Sequence, residues 1–208
     1  MLNKTNSSLK HHQEVIGLKI LSPDADIDYI ENFYAPDKAQ IFFHQLEQKL
    51  AWRHDDIKMF GKVMKIPRLQ AWYGDYNLSY RYSNMTLIAQ PWTEVLRALK
   101  AQVSDYCDHE FNAVLANLYR NQHDSVGWHS DDEPELGLMP TIASLSFGAE
   151  REFQLKHIIT KEKINIVLTP GSLLIMRGNT QQYWQHCLPK RTKEIAPRIN
   201  LTFRKIYL

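Results

Sequence analysis

A mostly β fold with two flanking helices, in the α+β class, is what this chain predicts, and three features carry the expectation. From Phe111 onward, short alternating or apolar segments divided by turn residues recur at 111–120, 141–148, 151–156, 164–168, 172–176, 183–188 and 198–206. Evenly spaced strands of this kind argue for a sandwich or barrel. Ahead of them lie two stretches with helical rather than alternating periodicity. The 208 residues, 44% hydrophobic, suffice for one sizeable core, which excludes a disordered chain, a collagen and a disulfide scaffold.

Taken in order, residues 1–14 are polar and predict a flexible arm, with a single domain over 15–208. The opening MLNKTNSSLKHH has no apolar run of a signal peptide, and no stretch approaches 18 consecutive apolar residues. No membrane association is therefore expected. Pro36 to Leu50 predicts a helix capped by Asp37, with Ile41, Phe42, Leu46 and Leu50 recurring near a 3.6 period. A second helix is predicted from Pro91 to about Cys107, its apolar stripe formed by Val95, Leu96, Leu99, Val103 and Tyr106. Within the strand region, Thr169-Pro170-Gly171-Ser172 suits a type II turn. Cys107 and Cys187 have no CxxC spacing, which disfavours a thiolate zinc site and points to a reducing compartment: the cytoplasm, or the nucleus in a eukaryotic source.

With 25 Lys+Arg against 23 Asp+Glu, the whole chain carries no field for a polyanion. Residues 53–82 differ: six Lys/Arg against three Asp give +3, interleaved with Phe60, Trp72, Tyr73, Tyr76, Tyr80 and Tyr82. Cations meet phosphates and rings stack on bases, so this segment suits single-stranded or flipped nucleotides. A β-hairpin with aromatic cross-strand pairs is the plainer explanation of the same residues.

The chemistry concentrates in His129-Ser130-Asp131 and in His186, 57 residues further on. On an extended strand, i and i+2 face one side, so His129 and Asp131 can meet one cation, and His186 from a distant strand completes a two-His, one-carboxylate set. Such a set leaves half an octahedral shell open, as non-haem Fe(II) oxygenases require. The final strand places Ile199, Leu201 and Phe203 on one face and Arg198, Asn200, Thr202 and Arg204 on the other. A polar face of that kind fits either an exposed edge or a buried dicarboxylate pocket. Six residues span about 20 Å, so Arg198 and Arg204 serve different ends. Asn117 and Tyr119 likewise share one strand face.

These pieces, with PRLQAWYGD (67–75), NLYRNQHDSVGWHSDDEPELG (117–137), WQHCLPK (184–190) and PRINLTFRKI (197–206), resemble the AlkB family of Fe(II)/2-oxoglutarate-dependent nucleic-acid dealkylases over about residues 52–206. Within that family the chain is most similar to the eukaryotic-type DNA and RNA repair demethylases. The resemblance implies a double-stranded β-helix (jelly roll) core over about 111–206 and a nucleotide-recognition lid over about 53–90. It implies that His129, Asp131 and His186 bind Fe(II). Arg198, helped by Tyr119, would pair with the distal carboxylate of 2-oxoglutarate, while Asn117 and Arg204 sit toward the metal-chelating end and Thr202 lines the pocket.

Phe60, Gly61 and Lys62 match a hairpin finger that enters the vacated base stack. Tyr80, Arg81 and Tyr82 match a base-contacting stretch, and Glu133, with Asp132 beside it, an acid near the exocyclic amine; Trp72 is a further substrate-contact candidate. The implied reaction is O2-dependent demethylation of 1-methyladenine and 3-methylcytosine type bases in DNA, single- or double-stranded, with RNA as a further class, by a monomer. It releases formaldehyde, succinate and CO2. Lys190, Arg191, Lys193 and Lys205 are candidate phosphate contacts or, equally, a solvated basic turn; Trp128 and Trp184 read as core or pocket wall, and Cys187 as packing. Two competing functions remain: a 2-oxoglutarate oxygenase acting on protein or a small molecule, and a metal-free nucleic-acid-binding jelly roll.

Overall fold

A computed structural model describes residues 17–207 except 60, 61, 77, 83 and 84; at 21, 58–59, 79–82 and 85–88 it describes the backbone only. Strands β1 (Leu18–Ser22) and β2 (Ala25–Ile30) lead into helix α1 (Pro36–Lys49). Next come β3 (Asp56–Met59), β4 (Lys62–Lys65), β5 (Leu69–Gly74), β6 (Ser79–Tyr82), β7 (Met85–Ile88), β8 (Gln90–Pro91) and helix α2 (Glu94–Cys107). The remainder is β9 (Ala113–Tyr119), β10 (Val126–His129), a 3-10 turn (Pro134–Leu136), β11 (Ile142–Gly148), β12 (Arg151–His157), β13 (Lys163–Leu168), β14 (Leu173–Arg177), the single-turn α3 (Thr180–Tyr183), β15 (Trp184–Leu188) and β16 (Arg198–Arg204).

Eight strands form a major sheet in the order β1-β2-β14-β11-β16-β9-β5-β8, and four form a minor sheet, β10-β15-β12-β13. Leu115, Ile142, Leu174 and Met176 of the major sheet pack in one apolar cluster with Leu155, Ile166, Leu168 and Trp184 of the minor sheet, so the two sheets face each other. This is the expected jelly roll. A second cluster covers the outer face of the major sheet: Phe43 and Leu46 of α1 and Leu96, Leu99 and Val103 of α2 pack with Val114, Ala116, Leu145, Ile199, Leu201 and Phe203. Period-two alternation in β9 and β16 therefore sends the apolar face to the helices and the polar face between the sheets. All seven residues of β16 are buried, which removes the exposed-edge reading of its polar face.

Several local expectations are corrected. The α1 N-cap is Ala35, which makes no side-chain cap; Pro36 occupies the first turn, and Asp37 contributes only an acidic charge to it. The buried face of α1 is Ala39, Phe43 and Leu46, while Ile41 is exposed. Helix α2 starts later than expected: Pro91 ends β8, and Thr93 caps by accepting from the Leu96 N–H at 3.3 Å. Tyr106 lies outside the buried stripe. The 169–172 turn is as expected, with Gly171 at φ +80°, where a Cβ would stand 2.4 Å from the Tyr34 carbonyl. The basic-aromatic segment forms two antiparallel ribbons, β3–β4 and β6–β7. The expected arm falls outside the described residues. Among those described, no helix is long and apolar enough to cross a membrane.

Candidate metal centre and cosubstrate pocket

Strands β10 and β15 pair antiparallel with His129 opposite His186, and the two rings lie 4.3 Å apart between centroids. Strand β10 stops at His129, so Asp131 belongs to the following turn and not to an extended strand as expected. Its N–H leaves the ladder and donates to the Gln181 side-chain oxygen at 2.9 Å, which fixes the turn. One ligand atom from each of His129, Asp131 and His186 lies within 4.8 Å of the other two.

The protonation states suit a metal. Burial raises the Asp131 carboxyl, but the Arg204 guanidinium and both imidazoles outweigh it and bring the pKa down to about 2. Arg204 Nη2 donates to both Asp131 oxygens at 2.9 Å. Burial, with His129 beside it, lowers His186 to about 3 although Asp131 opposes the shift, so this imidazole is neutral at pH 7. Its buried Nδ1 has no hydrogen-bond partner. The His129 Nδ1 lies 2.8 Å from the Gly127 carbonyl; as donor there, it leaves Nε2 with its lone pair free. Two imidazoles and one carboxylate are the donor set of a facial triad, and the residues fit Fe(II).

A stability prediction follows from His186. Its folded pKa lies below the unfolded value of 6.5, so between about 3 and 6.5 the unfolded chain binds the extra proton. Metal-free protein should therefore lose stability as pH falls through that window. Urea titrations at pH 7 and 4 check this, and His186→Gln should flatten the slope.

Beside the triad a cavity between the sheets is lined by the polar faces of β9 and β16: Asn117, Tyr119, Arg198, Asn200, Thr202 and Arg204, with Arg68 and Ser144. Arg198 is 1% exposed. Its Nη2 donates to Ser146 Oγ at 3.0 Å and Asn200 Oδ1 at 2.8 Å, and it lies 5.4 Å from the Tyr119 ring centroid. Among the described residues Arg53, Arg120, Arg177 and Arg204 are each ion-paired with an aspartate, whereas Arg198 makes no ion pair. Burial lowers Arg198 to about 10, opposed by Tyr119 and helped by Arg151, so it stays cationic at neutral pH. A buried cation without a carboxylate partner is costly, and an anionic ligand in the cavity would offset that cost. Arg204 pairs with Asp131 of the triad, whereas Arg198 lines the cavity with Ser146 and Asn200 as its partners.

Asn117 Oδ1 accepts from Arg68 Nε at 2.8 Å, and Thr202 Oγ1 from Asn200 Nδ2 at 2.8 Å. Arg68, Ser146, Asn200 and Gln181 were not anticipated as site residues. Asn200 alone had a signal, since it shares the polar face of β16.

The substrate-side candidates are less gathered. Glu133 is partly exposed and Asp132 exposed, directly after the triad carboxylate. Lys62 is exposed on β4. Phe60 and Gly61 lie outside the described residues, as do the side chains of Tyr80, Arg81 and Tyr82. Trp72 is 4% exposed and packs in the cluster between the sheets, which is a core position. Trp184 is fully buried, but Trp128 is exposed, with Lys156 Nζ 4.6 Å from its ring centroid, and so is not core.

Fold and site together define an Fe(II)/2-oxoglutarate oxygenase scaffold, and residues 26–204 match the 2OG-Fe(II) oxygenase superfamily: the chain belongs to that family, whose cofactors are Fe(II) and 2-oxoglutarate. Among its relatives, the Alpha-ketoglutarate-dependent dioxygenase alkB homolog 3 of Bos taurus is 45% identical over 180 residues, covering 82% of this chain and 62% of that protein. The DNA oxidative demethylase ALKBH2 of Homo sapiens is 41% identical over 182 residues, covering 82% of this chain and 70% of that protein. The chain thus spans about three fifths of the alkB homolog 3 relative. A solved structure described as "The structure of OsALKBH1" shares the fold, with a TM-score of 0.65 at 16% identity, covering 90% of this chain and 100% of that one.

Proposed function

We propose that this chain removes N-linked methyl groups of the 1-methyladenine and 3-methylcytosine type from DNA, single- and double-stranded, with RNA as a second substrate class. The observation that carries the oxygenase reading is the His129–Asp131–His186 cluster beside a buried arginine with no carboxylate partner. The nucleic-acid reading is supported by the name of the ALKBH2 relative, a DNA oxidative demethylase, and by the basic-aromatic segment 53–82.

The three ligands would hold Fe(II), and Arg198, Tyr119 and Asn117 would bind and orient 2-oxoglutarate. When bound, these groups and O2 supply the oxidising chemistry that hydroxylates the methyl carbon, giving succinate and CO2; the hydroxymethyl amine then releases formaldehyde. Arg204 keeps Asp131 ionised and its oxygens oriented toward the cluster. The packed sheets exclude bulk water from the cosubstrate side. A methylated Watson-Crick edge cannot pair, so the base must leave the stack to reach this site. The methylated ring is cationic, and Glu133 and Asp132 place negative charge just beyond Asp131, favouring it over the neutral unmethylated base.

Succinate and formaldehyde release, measured with methylated oligonucleotides against peptide and small-molecule panels, tests this. Equimolar products with the oligonucleotides are expected, and turnover with only a non-nucleic substrate would reject the reading. Phe60→Ala should cost several-fold more activity on duplex than on single-stranded substrate if the ring fills the vacated stack. An equal loss on both would remove the finger role.

A further inference from the structure

Arg198 is not the only guanidinium against Tyr119: Arg151 Cζ lies 5.7 Å from the same ring centroid, and Arg198 Cζ 5.4 Å. Both distances fall within cation–π range. Arg151 is 1% exposed, lies outside the cavity lining and makes no ion pair among the described residues. Its Nη2 donates to the main-chain oxygens of Asp124 at 3.0 Å and Pro189 at 2.6 Å, and its Nη1 to that of Asn121 at 3.5 Å. Those carbonyls belong to the loops after β9 and β15, so Arg151 is held rigidly in place. A neutral donor could serve the same carbonyls without the desolvation penalty of a buried charge. The Asp124 carboxylate acts on this charge, but Arg120 occupies both of its oxygens, at 2.7 and 2.9 Å, and Arg191 adds a further cation, so an anion in the pocket beyond Tyr119 would supply what Asp124 does not.

We propose that Arg151 is a positioning residue that makes the pocket select a doubly charged 2-oxo acid. It fixes the Tyr119 ring against Arg198 and adds a second buried positive charge behind it, favouring the distal carboxylate in particular. This rests on the assignment of the pocket to 2-oxoglutarate.

Anaerobic calorimetry on the Fe(II)-loaded protein tests it with two ligands: 2-oxoglutarate and 2-oxopentanoate, which has the same chain length but no distal carboxylate. The readout is the ratio of their dissociation constants. Arg151→Met should reduce the preference for 2-oxoglutarate about tenfold, the order expected for one buried charge at roughly 10 Å in an effective dielectric of about 20. Arg151→Lys keeps the charge and should hold the ratio near wild type. Arg151→Gln keeps two N–H donors without the charge and should lower the ratio as methionine does, including where the methionine variant does not fold. A role limited to holding the loops weakens both acids equally and leaves the ratio unchanged, which would overturn the proposal. A wild type with no preference for 2-oxoglutarate would instead overturn the pocket assignment.

Discussion

Arg198→Met should weaken 2-oxoglutarate binding by two to three orders of magnitude while leaving the unliganded protein as stable as wild type or more so. The two effects have opposite signs for one reason. Unliganded, the guanidinium is 1% exposed without a carboxylate partner among the described residues, so the fold carries a desolvation penalty that a bound dicarboxylate would offset. Removing the cation relieves the unliganded state and strands the distal carboxylate in the liganded one, where losing a buried charge partner costs about 2–5 kcal/mol. Anaerobic calorimetry and thermal melting, each run with and without 2-oxoglutarate, measure both quantities. Wild-type affinity in the variant would refute the assignment of this end of the pocket.

Arg204→Met is expected to do the reverse to the empty protein. Asp131 is 1% exposed, and the guanidinium on both of its oxygens is the foremost influence holding its pKa low against burial. Breaking a buried pair by removing one partner costs about 3–5 kcal/mol, and without Arg204 burial pushes the carboxyl upward toward its neutral form. Fe(II) supplies a substitute positive charge, so saturating metal should recover part of the lost stability. Urea unfolding under anaerobic conditions, with and without Fe(II), reads the difference. A loss below about 1 kcal/mol without metal would mean that the pair is not the electrostatic anchor described here.

Much of this site is legible in the sequence because it lies on regular strands. Alternation along β16 separates Ile199, Leu201 and Phe203 from Arg198, Asn200, Thr202 and Arg204, and the structure places the first set under the helices and the second in the pocket. The Fe(II)-binding role of His129, Asp131 and His186, by contrast, comes from the resemblance to the family, not from spacing alone. Strand β10 is less legible: four residues, Val126-Gly127-Trp128-His129, pair through an irregular register, and two of them are exposed. The turn that carries Asp131 depends on a side chain 50 residues away, Gln181, which no local pattern announces. Arg68 and Arg151 are invisible for the same reason, since a lone arginine in a sequence reads as solvated until tertiary packing buries it. At α1, the residue expected to cap, Asp37, lost that place to Ala35 because Pro36 starts the first turn two residues earlier than a cap at 37 would.

The most direct test is anaerobic titration of Fe(II) into the wild type and His129→Ala. His129 is only partly buried, so its removal leaves both packed clusters intact. One equivalent of tightly bound Fe(II) in the wild type, and none in the folded variant, is the predicted result. Uptake of one equivalent by both proteins with equal affinity would contradict the placement of the metal among His129, Asp131 and His186.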